Sequence, residues 1–146
     1  MAEDKEHQPF GEKPEEHGFS DQLIVVPTNP TQVASWYDTV HFYARLINLT
    51  SQEIKTGGIG GGISYVKHGK FIDLKSAFPS TAPPNSVSEP YHVLTVELNP
   101  DNFAKMEFEL YASVQLSYIG TSGQLFFGQP VFWKVHVRSS WVKKGS

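Results

Sequence analysis

Cysteine is absent from all 146 residues, which excludes a disulfide framework, a thiolate nucleophile and a zinc site built on sulfur. Long apolar runs are absent too. No stretch approaches the ~20 residues a membrane helix requires, so no such helix is expected. Charge of one sign is scarce: 12 Lys and Arg against 15 Asp and Glu leave a formal charge of −3. A field that would gather a nucleic acid is therefore missing, and no nucleic-acid partner is expected. Signatures of enzymes are equally thin. There is no G-x-S-x-G elbow and no glycine loop followed by Lys-Ser or Lys-Thr. What the chain does have is 39% hydrophobic and 13% aromatic residues in 16.3 kDa, enough for one domain with a real core.

Charge and apolar content are unevenly placed. Residues 1–20 hold six acids and two bases, with Phe10 and Phe19 as the only large apolar side chains. Such a segment cannot bury enough surface to offset its ordering entropy, so it is expected to be a flexible or partner-ordered acidic arm. It also lacks the apolar centre of a secretory leader, which favours a cytoplasmic or virion-associated location. The domain proper is expected over residues 21–142, followed by a basic tail at 143–146.

The body alternates in the manner of strands. Over 106–118 the residues Met106, Phe108, Leu110, Ala112, Val114, Leu116 and Tyr118 are apolar at every second position. Successive strand residues face opposite ways, so this predicts one long strand with a dry side and a wet side. After a Gly-Thr-Ser-Gly turn at 120–123, residues 125–137 resume the pattern. Val131, Trp133, Val135 and Val137 are expected inside, with Phe132, Lys134, His136 and Arg138 facing the other way. Gly128 and Pro130 interrupt this second strand and suit an edge or a bulge. Further strands are predicted at 23–26, 39–49, 63–66, 71–74 and 91–98, and an exposed loop at 79–90. The expectation is an all-β antiparallel sandwich of about seven strands, immunoglobulin-like or jelly-roll.

Candidate sites are few. The glycine cluster at 57–62 lacks the flanking residues of a phosphate loop and reads as a connection, or as a place where another backbone comes close. The six histidines, His7, His17, His41, His68, His92 and His136, lie more than five residues apart, so neither a metal nor a cofactor is expected. Glu107 and Glu109 share a strand face and could serve as paired carboxylates, but a solvated face explains them more simply. Asn29-Pro30-Thr31 followed by the glycine cluster resembles loop motifs of chagasin-type cysteine-protease inhibitors. That match covers a few residues only, and the remaining strands differ in order and spacing.

The functional expectation is therefore contact without catalysis: a non-enzymatic structural or assembly subunit, of a virion or filament for example, that associates with itself or with another protein. Lys134, Arg138, Trp141, Lys143 and Lys144 form a basic end that complements the acidic arm of another copy. The alternative is a lectin-like module binding carbohydrate or another small ligand on Trp36, Tyr37 and Tyr111, whose rings would stack on sugars.

Overall fold

The computed structural model describes residues 22–68, 70, 72–74 and 78–138. Among these residues eleven strands occur in the order β1 (Leu23–Thr28), β2 (Thr31–Ser35), β3 (Thr39–Asn48), β4 (Ile54–Ile63), β5 (Asp73–Leu74), β6 (Thr81–Ala82), β7 (Ser86–Val87), β8 (Tyr91–Glu97), β9 (Glu109–Ile119), β10 (Leu125–Phe127) and β11 (Val131–Arg138). Seven of them have five residues or more; the other four are pieces of two or three residues. Of the seven, β2 and β4 are not expected from alternation, and the strand expected at 63–66 is the end of β4 and a turn. Among the described residues a 3-10 turn occurs at Pro100–Asn102, capped by Asn99, whose side chain accepts from the Asp101 N–H at 3.0 Å. No helix among the described residues is long and apolar enough to cross a membrane.

Two sheets face each other. The smaller runs β1-β3-β8-β5, with β7 beside β3; the larger runs β2-β11-β9-β4-β6, with β10 beside β9. All pairings are antiparallel except that of β2 with β11. This order is that of an immunoglobulin-type sandwich: first, second, fifth and fourth strands on one sheet, with the third, sixth and seventh on the other. It decides between the two sandwich types left open by the sequence. The first strand is split, and its second half crosses over to the larger sheet. Asn29 allows the crossing by adopting φ 50°, and the Pro30 carbonyl then accepts from the Lys134 N–H at 2.7 Å. Pro27 is tolerated inside β1 because β1 is an edge strand.

The core follows from the alternation. Val40, Phe42, Ala44 and Leu46 of β3 point inward, as do Leu110, Ala112, Val114, Leu116 and Tyr118 of β9 and Trp133, Val135 and Val137 of β11. Trp133 and Phe42 meet across the sandwich with ring centroids 5.3 Å apart. Three expectations need correction. Met106 and Phe108 are exposed, because β9 begins only at Glu109 and the chain bends at Phe108, whose carbonyl still accepts from the Val137 N–H at 2.7 Å. The glycine cluster is not a connection; it is the greater part of β4, paired with β9. The segment at 79–90 is not simply an exposed loop, since it contributes β6 and β7 and buries Ala82 at 2% exposure.

Asn48 explains that last point. It is 1% exposed, and its Nδ2 donates to the carbonyls of Gln52 (2.8 Å), Ala82 (3.0 Å) and Pro83 (3.0 Å). Its Oδ1 accepts from the Thr50 N–H at 2.9 Å and the Thr50 hydroxyl at 2.8 Å. One buried amide thus reaches five backbone and side-chain groups, sharing its two N–H protons among three carbonyls, and acts as a structural clasp. In Asn48→Ala the Gln52 carbonyl keeps the Thr50 hydroxyl (2.9 Å) and the Pro83 carbonyl keeps the Ser86 hydroxyl (2.6 Å). The loss therefore falls on the Ala82 carbonyl and the Thr50 N–H, at about 1–3 kcal/mol for each one left buried and dry. Hydrogen exchange should show 79–90 opening well before the rest of the domain; unchanged protection there would refute the clasp.

Candidate functional site

Outward-facing residues of the larger sheet form an extended surface where apolar side chains collect. Two bulges create it. Phe127 pairs with Ser117 and Val131 with Val114, so three residues on one strand oppose two on the other. Phe127 and Phe132 are five apart, an odd number that sets them on opposite faces of an uninterrupted strand. The extra residue returns both to the outer face. Gly128 sits in the break with its N–H on the Leu116 carbonyl at 2.8 Å, and Gln115 Nε2 donates to the Gly128 carbonyl at 2.9 Å. On the other side of β9, Gly57 and Gly58 together oppose Ser117, a second bulge. The Gly58 N–H donates to Ser117 Oγ at 2.9 Å.

The register then fixes a relief. On one side of β9 stands a ridge of Phe132, Pro130 and Phe127, with Leu125 at its end; Phe132 is 59% exposed and Phe127 and Leu125 are also well exposed. On the other side lies a trough of Gly58, Gly60 and Gly62. Gly60 opposes Gln115 and Gly62 opposes Ser113, so these glycines share the outer face. A Cβ built on Gly60 or Gly62 would meet nothing within 4 Å. Between ridge and trough the floor is Ser113, Gln115 and Ser117. A hollow of about 400 Å³ lies here, lined by Gly60, Gly61, Ser113, Val114, Gln115, Pro130 and Phe132. Its lining is mainly apolar, and none of the described residues that line it is charged.

The predicted site residues are dispersed. Trp36 is a core residue at 5% exposure, with its ring edge-on to Phe103 at 5.4 Å. The reason is the turn after β2: Tyr37 takes φ 77°, its N–H bonds the Leu98 carbonyl at 2.6 Å, and Trp36 is thrown inward. A Trp36–Tyr37 stacking platform is therefore not formed. Tyr37 is exposed on that turn, whereas Tyr111 is exposed on the outer face of β9 at the head of the strip. Its hydroxyl is 3.4 Å from Glu109 Oε1. Lys134 is paired with Glu109 at 3.5 Å on the same face, and Arg138 is exposed at the end of β11. Trp141, Lys143, Lys144 and the arm at 1–20 lie outside the described residues. Glu107 precedes β9 and does not share a strand with Glu109.

Two of the scattered histidines do meet. His41 and His92 lie edge to face on adjacent strands, with centroids 5.2 Å apart. The Thr95 hydroxyl stands between them, 3.1 Å from His41 Nδ1 and 2.7 Å from His92 Nε2, and Tyr43 stacks on His92 at 4.9 Å. Fifty-one positions separate them in the chain, which is why spacing alone did not join them. No group of three or more His, Asp or Glu side chains placed to hold a metal occurs among the described residues.

The molecule is thus an immunoglobulin-type β-sandwich with an apolar outer strip. No protein-family model matches the chain, and no curated protein matches it in sequence. Among solved structures it is similar to the SrpA adhesin of Streptococcus sanguinis, at 14% identity and a TM-score of 0.47, over 82% of this chain and 60% of that one. It is also similar to a type I cohesin–dockerin complex of Clostridium thermocellum (13%, TM-score 0.39, 80% and 94% covered). A non-cellulosomal cohesin of Archaeoglobus fulgidus gives 8%, a TM-score of 0.37, and 82% and 93% coverage. Identities and scores this low carry nothing about function.

Proposed function

We propose that this domain is a non-enzymatic assembly subunit that works by protein–protein contact through the outer face of its larger sheet. The observation that carries the reading is the strip itself: Phe132, Phe127 and Leu125 are exposed beside a floor of glycine and serine. Monomeric domains rarely leave contiguous apolar surface in water, and such surfaces mark sites of association. A ridge beside a trough, with no charged residue lining the hollow between them, suits an apolar partner of matching shape. The basic end foreseen from Lys134 and Arg138 contributes less, because Lys134 is already paired with Glu109 and an exposed ion pair of this kind adds little affinity.

Photocrosslinking in the native host tests the reading. A benzoylphenylalanine in place of Phe132 should give covalent protein adducts, while the same probe at Val26, exposed on the other sheet, should give none. No adduct at position 132 would overturn the contact reading. A glycan array is the counter-test: sugar binding abolished by Phe132→Ala or Tyr111→Ala would replace it with the carbohydrate alternative.

A further inference from the structure

We infer that the strip docks on the same strip of a second copy, related by a two-fold axis that lies in the plane of contact and runs along β9. This rests on the contact reading above and adds the partner and its geometry. The ridge and the trough occupy opposite sides of β9, each one strand away, at about 4.8 Å. They are also in step. Phe132 and Gly62 both oppose Ser113, and Phe127 and Gly58 both oppose Ser117. Gln115, between those rows, has Gly60 on one side and Pro130 next in line on the other. A two-fold axis along β9 exchanges the two sides and keeps every row at its own height. Each copy's Phe132, Pro130 and Phe127 therefore fall on the other copy's Gly62, Gly60 and Gly58. An isologous contact demands this self-complementarity, and few surfaces possess it by register. The other in-plane axis, across the strands, sets ridge against ridge and leaves both troughs empty.

The glycines make the geometry possible. Stacked sheets lie about 10 Å apart with side chains filling the space from both sides. Where one side carries no side chain, a phenylalanine from the other can fill the gap alone. The three shared rows hold no charge to desolvate, and the nearest charged pair, Lys134 and Glu109, is already joined. The size of the face sets the expected class of interface. Eleven residues of β9 and the three strands side by side span roughly 36 by 14 Å, or about 500 Å² per copy. Stable interfaces bury about 800 Å² per partner, so the pair should form reversibly, in the micromolar range or weaker.

Sedimentation of the full chain over about 5 to 500 µM tests this. The wild-type mass should rise from 16.3 kDa toward twice that value. Phe132→Asp puts a carboxylate over the trough, and Gly62→Arg fills it; each alone should weaken pairing at least tenfold. Both positions face open solvent, so unchanged thermal unfolding confirms that the fold is intact. The two variants mixed should pair again. In the mixed dimer one ridge–trough contact is native, and the other sets the new carboxylate against the new guanidinium. A wild type that stays monomeric at the highest concentration, a dimer indifferent to both changes, or a mixture that does not recover would each overturn the proposal. Crosslinking of position 132 only to a different protein, with a monomeric chain, would sink self-pairing and leave the contact reading standing. No adduct at all would sink both.

Discussion

Trp133→Ala is expected to lower the unfolding free energy by about 3–5 kcal/mol, the range for emptying a large aromatic site in a core. Trp133 is fully buried, is the largest side chain so placed among the described residues, and packs on Phe42 of the opposite sheet. Alanine leaves a cavity between two sheets whose backbones are each held by their own hydrogen-bond ladders and cannot collapse to fill it. The indole N–H also donates to the Thr28 carbonyl at 3.0 Å, at the point where the chain crosses from one sheet to the other. Trp133→Phe separates the two effects. It keeps most of the apolar volume and gives up the hydrogen bond, so about 1–3 kcal/mol should be lost. Domains of this size have about 5–15 kcal/mol in total, so the alanine variant should sit near its unfolding midpoint in mild denaturant. A loss under about 1 kcal/mol in urea titration would contradict the central placement of this ring.

Two adjacent glycines should respond with opposite signs. At Gly61 a Cβ would overlap the Ser113 carbonyl oxygen and a methyl of Val114, and neither can retreat without parting β4 from β9. Gly61→Val is therefore expected to cost about 3 kcal/mol or more, at or beyond the upper end of overpacking penalties. At Gly60 a Cβ meets nothing within 4 Å, and none of β4's glycines adopts a positive φ. Gly60→Val replaces a poor strand former with a good one and should gain up to about 1 kcal/mol. The midpoints of thermal or urea unfolding compare the pair directly, and equal effects would mean that the two faces of β4 are wrongly assigned. The outcome also bears on function. A glycine that lowers stability and packs against nothing serves the surface, so Gly60→Val should stabilise the monomer while weakening self-association.

Several parts of the fold were legible because they depend only on neighbours along the chain. Val40 to Leu46, Leu110 to Tyr118 and Trp133 to Val137 alternate, and a strand must put such residues on one face. Where alternation has nothing to act on, it fails. The glycine run carries no side chains to alternate except Ile59, so its strand was invisible until β9 was seen beside it. Met106 and Phe108 continue the apolar rhythm outside β9, where the chain bends. Trp36 was misplaced for a different reason: one left-handed residue, Tyr37, decides which neighbour turns inward, and its conformation is held by the distant Leu98 carbonyl.

The candidate surface divides the same way. That Phe132 faces away from Trp133 is a property of two consecutive residues. That it shares a face with Phe127, and lies level with Gly62, is not. Those relations need an inserted residue in each of two strands and the register of both on β9, and every one is a pairing between residues far apart in the chain. The amino-acid order by itself thus determined the strand class, the inward residues of β3, β9 and β11, and the absence of familiar catalytic motifs, since each follows from local chemistry. Only the tertiary structure decided which outward residues stand together, because hydrogen-bond register between strands is set by the whole sandwich closing at once.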